Sequence, residues 1–152
     1  MGAEVHVLTT SPAKADKAKQ YGAGNVIVST DAEAMSKFEG YFDFILDTVP
    51  VGHHPQPYID LLAVDGALVL VGPLSPMEGF DGGSLMHNRR SVAGSSIGGL
   101  PETQAMLDYS AEHDILPEIE IIPIEKINEA YDRMTSKSMS FRFVIDMKAS
   151  FK

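Results

Sequence analysis

The run Ala67-Leu68-Val69-Leu70-Val71 constrains this chain more than any other feature. It is the longest unbroken apolar stretch, and it lies between the turn signal Asp65-Gly66 and Gly72. A strand with one face in water alternates apolar and polar residues, whereas a continuous run belongs to a strand buried on both faces. Strands of that kind occur in parallel sheets covered by helices, so strand and helix should alternate around the run.

The rest of the chain has that alternation. Val5-His6-Val7-Leu8 is short and bounded by polar residues, and it reads as a strand. Ser11-Pro12 supplies an N-cap followed by proline at the first helical position, Ala15, Ala18 and Tyr21 follow at helical spacing, and Gly22 stops the helix. Strands are predicted at 26–28 and 42–47, with a short helix over 31–38 capped by Thr30 or Asp31. A helix over 56–62 precedes the Asp65-Gly66 turn. Residues 72–88 read as loop, punctuated by Pro73, Pro76, Gly79, Gly82 and Gly83. A strand over 91–97, a helix over 101–113 and a strand over 119–122 follow. Ile124, Ile127, Tyr131 and Met134 mark an amphipathic helix, and 141–147 closes as a strand.

Composition limits what such a sheet can do. With 152 residues and 44% hydrophobic content the chain can bury one real core, which excludes a disordered protein. Twelve Lys and Arg against 21 Asp and Glu leave a net charge of −9, and no basic patch stands out, so no nucleic-acid partner is expected. Without cysteine there are no disulfides, thiolate nucleophiles or cysteine-held zinc, which fits a reducing compartment. The longest apolar run is far below the roughly 20 residues of a membrane span. No basic segment leads into an apolar one at the start, so no signal peptide and no membrane partner are expected, and the location implied is cytoplasmic.

Parallel α/β sheets bind ligands at the carboxyl ends of their strands, which directs attention to the residues just after each strand. Thr9, Thr10, Ser11 and Lys14 follow the first strand and enter a helix. Hydroxyls, free N–H groups and one lysine make an anion seat there, and the lack of an acid before Asp16 suits a 2′-phosphate and hence NADP. The alternative is ordinary capping by Ser11 with Lys14 in solvent. His53-His54 could ligate a metal, but no cysteine and no HExxH accompany it, which favours structural or solvated histidines. Gly94, Gly98 and Gly99 around Ser95-Ser96-Ile97 allow either close backbone approach to a flat ligand or a ligand-free tight turn. No GxGxxG and no Walker A spacing is present. Arg89-Arg90 reads as a solvated pair at a strand start, not a phosphate clamp.

Together the residues resemble the cinnamyl alcohol dehydrogenase group, a branch of the zinc-dependent medium-chain alcohol dehydrogenases. The stretches that carry the likeness begin with Asp47-Thr48-Val49-Pro50-Val51, His53, Pro57-Tyr58, Leu61-Leu62 and Asp65-Gly66. They continue through Leu68-Val69-Leu70-Val71-Gly72, Arg89-Arg90, Gly94-Ser95-Ser96-Ile97-Gly98-Gly99, Glu102-Thr103 and Met106-Leu107. They end with Pro117-Glu118-Ile119-Glu120, Ile127-Asn128, Ala130-Tyr131 and Arg142-Phe143-Val144-Ile145-Asp146. Each is weak alone, but they cover essentially the whole chain.

The resemblance implies an NADP-dependent oxidoreductase that interconverts primary alcohols and aldehydes, with zinc as Lewis acid in the parent family. It implies that Thr9, Thr10, Ser11 and Lys14 correspond to the segment that holds the 2′-phosphate. Pro12-Ala13 replace donors there. Thr48 corresponds to a residue beside the cofactor, Gly72 to one whose backbone approaches it, and Ser95, Ser96 and Ile97 to the stretch along the nicotinamide end.

The zinc ligands, the proton relay and the GxGxxG turn of the family lie before the part that this chain resembles. The expected fold is therefore an incomplete Rossmann-type parallel sheet lacking the first strand and helix of the order 3-2-1-4-5-6. Residues 1–139 are expected to form the partial NADP-binding domain and 140–152 a tail that returns to the absent catalytic domain. The function implied is the cofactor portion of an alcohol dehydrogenase or aldehyde reductase, inactive as an isolated chain. The alternative is a non-catalytic self-associating or weak nucleotide-binding module. A missing central strand would leave two edges around a gap, and exposed edges invite a homodimer, possibly strand-exchanged.

Overall fold

The computed structural model describes residues 2–72, 75–135 and 142–150. The chain forms two compact units, Met1–Ser96 and Ile97–Lys152.

The first unit opens with β1, His6–Thr9, paired in parallel with β2, Asn25–Val28. Between them a 3-10 turn, Pro12–Lys14, runs into α1, Ala15–Gln20, and Gly22 ends the segment at φ 89°. Asp31 caps α2, Ala32–Ser36, by accepting the N–H groups of Glu33 and Ala34, which settles the capping residue in favour of Asp31 over Thr30. The central sheet has β3, Phe42–Asp47, then β4, Leu62–Leu70, then β5, Ser91–Gly94, all parallel. Helices α3, Gln56–Asp60, and α4, Gly82–Asn88, connect these strands.

The α/β class and the parallel pairing are those expected. In the described residues no strand stands between β1 and β3, so β2-β1 and β3-β4-β5 form separate sheets. Both are parallel sheets of the Rossmann type expected. The core joins the two sheets: Ile27 of β2 and Met35 of α2 pack with Ile45, Ile59, Leu61, Leu62 and Leu68. Ile59, Leu62 and Leu68 are completely enclosed, and burial of each contributes about 1.5–3 kcal/mol. At the other end of β1 the His6 ring sits edge-on to Phe38, Tyr41 and Phe42, with centroids 5.3–5.6 Å apart.

Several local expectations need correction. Asp65-Gly66 is not a turn between elements but an irregularity inside the nine-residue β4, with Asp65 at φ 65° and a register shift against β3. The segment read as loop over 72–88 contains α4, because Asp81 caps it through the Gly83 N–H despite the two glycines at its start. The strand predicted over 91–97 stops at Gly94. Of the pair Arg89-Arg90, Arg89 is solvent-exposed as expected, whereas Arg90 is half-buried. Arg89 makes a two-point contact with Asp65, at 2.7 and 2.6 Å, and Arg90 donates to the Asp60 carbonyl at 3.4 Å.

The second unit has α5, Leu100–Glu112, opened by Gly99 and proline at the second helical position. A parallel pair, β6, Glu120–Ile122, and β7, Phe143–Ile145, follows, with α6, Ile127–Thr135, between them. The chain closes with α7, Met147–Ser150. The last strand predicted, 141–147, is thus shorter at both described ends, and Phe141 lies outside the described residues. Arg133 of α6 grips Glu120 of β6 at 2.6 and 2.7 Å and lies 4.9 Å above the Phe143 ring. No helix among the described residues is long and apolar enough to cross a membrane.

Candidate functional site

The carboxyl ends of β3, β4 and β5 come together because the three strands run parallel and in register, Asp47 opposite Leu70 and Leu70 opposite Gly94. Past these ends lies a cleft of about 520 Å³ lined by Leu70, Ser75, Met77, Gly94, Ser95 and Ser96. That volume falls in the range of small-molecule sites. Its walls mix apolar side chains with hydroxyls, and Ser95 is fixed by its N–H to the Leu70 carbonyl, 3.0 Å.

Of the residues singled out from the sequence, Ser95 and Ser96 line this cleft. Thr48 and Gly72 form a packed pair just past the ends of β3 and β4 and are not among the residues lining the cleft. The Gly72 N–H donates to the Asp47 carbonyl at 3.0 Å, and a Cβ on Gly72 would collide with the Thr48 carbonyl group. Glycine at 72 is therefore a requirement of backbone packing. Ile97 is almost fully exposed and is not among the residues lining the cleft.

Thr9, Thr10, Ser11 and Lys14 lie at the carboxyl end of β1, in the other sheet, and the cleft does not include them. The Thr9 hydroxyl accepts the Ser11 N–H at 3.2 Å. Ser11 occupies the N-cap position with extended backbone, yet its side chain makes no capping bond. The side-chain capping by Ser11 in the plain alternative is thus not realised. Lys14 and Thr10 are exposed.

Sequence reasoning missed Ser75 and Met77, which stand in the segment taken as featureless loop. It also gave Asp47 no role. Asp47 is the one buried charged residue among those described, with 7% of its surface exposed. A carboxylate ending an apolar strand was the signal, since burying an isolated charge is costly and demands partners. One Asp47 oxygen accepts the Val49 N–H at 2.9 Å, and the other lies 3.0 Å from His53 Nε2. His53 is thus structural, as its lack of companion ligands suggested. His54 stands at the surface, 3.6 Å from the Glu78 carboxylate.

None of the groups held away from their ordinary titration is among the residues lining the cleft. The Arg89 guanidinium holds the Asp65 carboxyl below the usual carboxylate range, mainly through their hydrogen bond, and Lys126 does the same to Glu129.

The chemistry present fits a dinucleotide in part. Serine hydroxyls and exposed backbone at Gly94 suit the cleft end, and the Ser11 hydroxyl with Lys14 suits a phosphate. No glycine-rich turn for a pyrophosphate is present. Zinc does not fit the described residues: no three of their His, Cys, Asp or Glu side chains cluster to hold a metal ion.

A family model described as zinc-binding dehydrogenase matches residues 1–112. The aldehyde reductase YahK of Escherichia coli (strain K12) is 47% identical over 147 residues, covering 96% of this chain and 42% of that protein. NADP-dependent alcohol dehydrogenase C 1 of Mycolicibacterium smegmatis is also 47% identical over 147 residues, with the same coverage. Among solved structures, cinnamyl alcohol dehydrogenase SbCAD4 of Sorghum bicolor superposes with a TM-score of 0.90 at 36% identity, covering 98% of this chain and 42% of that one. The CAD of Helicobacter pylori, solved in complex with NADP(H), gives a TM-score of 0.81 at 37% identity, covering 99% of this chain and 43% of that one. The chain therefore spans well under half the length of these relatives.

Proposed function

Since the chain belongs to the zinc-binding dehydrogenase family, we propose that it is the cofactor-binding portion of an NADP-dependent alcohol dehydrogenase or aldehyde reductase. The substrates of the whole enzyme are primary alcohols and aldehydes. Bound NADP(H) would supply the hydride chemistry. The observation that carries the reading is the cleft at the ends of β4 and β5, with Ser95 and Ser96 on its wall.

The chain's own residues bind and orient. Ser95 and Ser96 offer hydroxyls to the nicotinamide end, with Ile97 beyond them, and the close Thr48–Gly72 packing holds the floor beside it. Thr9, Thr10, Ser11 and Lys14 hold the 2′-phosphate, the lysine by charge and the hydroxyls by hydrogen bonds. Residues 140–152 lead back towards the part of the enzyme that carries zinc. Because that part and the pyrophosphate turn are not in this sequence, binding is weak and turnover is absent in this chain alone. Titrating the chain with NADPH and NADH, followed by nicotinamide fluorescence, tests the reading. Tighter binding of NADPH is expected, and equal or tighter binding of NADH sinks the 2′-phosphate assignment. Zinc-dependent reduction of benzaldehyde-type aldehydes by the purified chain would refute its inactivity.

A specific observation favours a second reading, a self-associating module that forms a dimer. Both β1 and β3 have only one strand neighbour among the described residues, and Phe44 and Leu46 of β3 are more than half exposed. Unpaired edges with apolar side chains recruit a second chain. Light scattering that shows a stable monomer at millimolar protein would dismiss it.

A further inference from the structure

The buried Asp47 carboxylate is the start of a connected set of contacts that reaches the cleft wall. Its Oδ2 faces His53 Nε2 at 3.0 Å, an ion-pair distance but not a hydrogen-bond alignment, so neither atom has a hydrogen-bond partner. His53 Nδ1 lies 3.0 Å from the Val51 carbonyl oxygen. Two acceptor oxygens thus face the two ring nitrogens. The ring also stands edge-on to Tyr58 of α3, 5.7 Å between centroids. One side chain therefore ties the segment 48–54 to the end of β3 and to α3.

That segment in turn holds the segment after β4. The Gly52 N–H donates to Ser75 Oγ at 2.6 Å, and the Glu78 N–H donates to the His53 carbonyl at 3.4 Å. A Cβ on Gly52 would strike the Pro76 carbonyl, so the two backbones are in close contact. Ser75 and Met77, between these anchor points, form the cleft wall on the side of Leu70, while Gly94, Ser95 and Ser96 form the rest.

We propose that His53 is a positioning residue for the nicotinamide end of the dinucleotide: clamped on Asp47, it fastens the 48–54 segment that sets Ser75 and Met77 as a cleft wall. This rests on the cofactor reading above. It touches no reacting atom and acts through Gly52 and Ser75. Its gain is preorganisation, since a wall already ordered does not have to be ordered when ligand arrives.

The test compares the chain with His53→Ala and His53→Gln, using NADPH and 2′-phospho-ADP-ribose as probes. The second probe keeps the 2′-phosphate end and lacks nicotinamide. The Ala variant should weaken NADPH by about fivefold, the cost of ordering a loop segment on binding. It should leave 2′-phospho-ADP-ribose unchanged, and the Gln variant, which keeps one donor, should recover part of the loss. An equal loss for both probes, or none for NADPH, overturns the positioning role. A wild-type chain that binds neither probe overturns the cofactor reading and this role with it, whereas binding that His53→Ala leaves intact overturns this role alone. Should the variants fail to fold, amide exchange on the unaltered chain decides. Exchange at Gly52 and Glu78 should slow with NADPH and stay unchanged with 2′-phospho-ADP-ribose, and equal slowing by both contradicts the proposal.

Discussion

The first unit, Met1–Ser96, gathers seven buried apolar residues into one cluster, whereas in the described part of the second, Ile97–Lys152, only Ile122 and Ala130 are buried. Secondary structure is not the difference, because the second unit holds the longest helix, α5, of 13 residues. Yet α5 buries none of its residues, and Leu100, Met106 and Leu107 are exposed. A helix of that length is marginal by itself in water, so what it lacks is a covered face. The first unit thus owes its order to burial. The second relies on polar ties, the Arg133–Glu120 grip and the Ile124 N–H donated to Ser150 Oγ at 2.8 Å.

Core truncation should break this contrast most strongly. Leu68→Ala, at a fully buried position of β4, should cost about 2–5 kcal/mol in urea unfolding, from lost transfer energy plus a cavity. Amide protection should fall across 1–96, and an unfolding free energy within the noise of wild type would contradict a core centred there. Gly72→Ala comes next. Its Cβ must displace the Thr48 backbone, so a loss of about 1–3 kcal/mol is expected together with weaker NADPH binding. Retained stability and retained binding would show that the Thr48–Gly72 packing is dispensable.

Two weaker effects sharpen the comparison. Arg89 donates to Asp65 and lowers its carboxyl below the ordinary value. The unfolded state therefore binds the proton more readily. The stability this gives is complete above the unfolded value, near pH 4, and is lost as pH falls through the lower folded value. Asp65→Asn should flatten that acid-side slope in thermal melts from pH 5 to 2, and a slope as steep as wild type would dismiss the coupling. Met106→Lys on α5 should change stability by no more than about 0.5 kcal/mol, because the side chain already faces solvent. A larger destabilisation would mean that the helix buries that face.

Much of the first unit was legible because its strands announce themselves. The apolar run at 67–71 and the segment 42–47 gave parallel strands, and the search at their carboxyl ends led to the cleft. What failed depended on contacts remote in sequence. Helix α4 was hidden by Gly82-Gly83 and Pro76, and it forms where Asp81 caps it and Gln56 of α3 receives the Asp81 N–H at 2.7 Å. The partners of Arg89 and Arg90, Asp65 and Asp60, were hidden because they lie 24 and 30 positions away. Ser75 and Met77 line the cleft in a segment tied to Gly52 and His53, contacts that no local pattern records.

The account rests on the strand ends of the first unit being a cofactor site, and mapping NADPH on the isotope-labelled chain by amide chemical shifts tests it most directly. Shifts concentrated at 9–14, 48, 72, 75–77 and 94–97 are the expected result. Shifts confined to the exposed Phe44 and Leu46 face of β3, or none at millimolar NADPH, would contradict it.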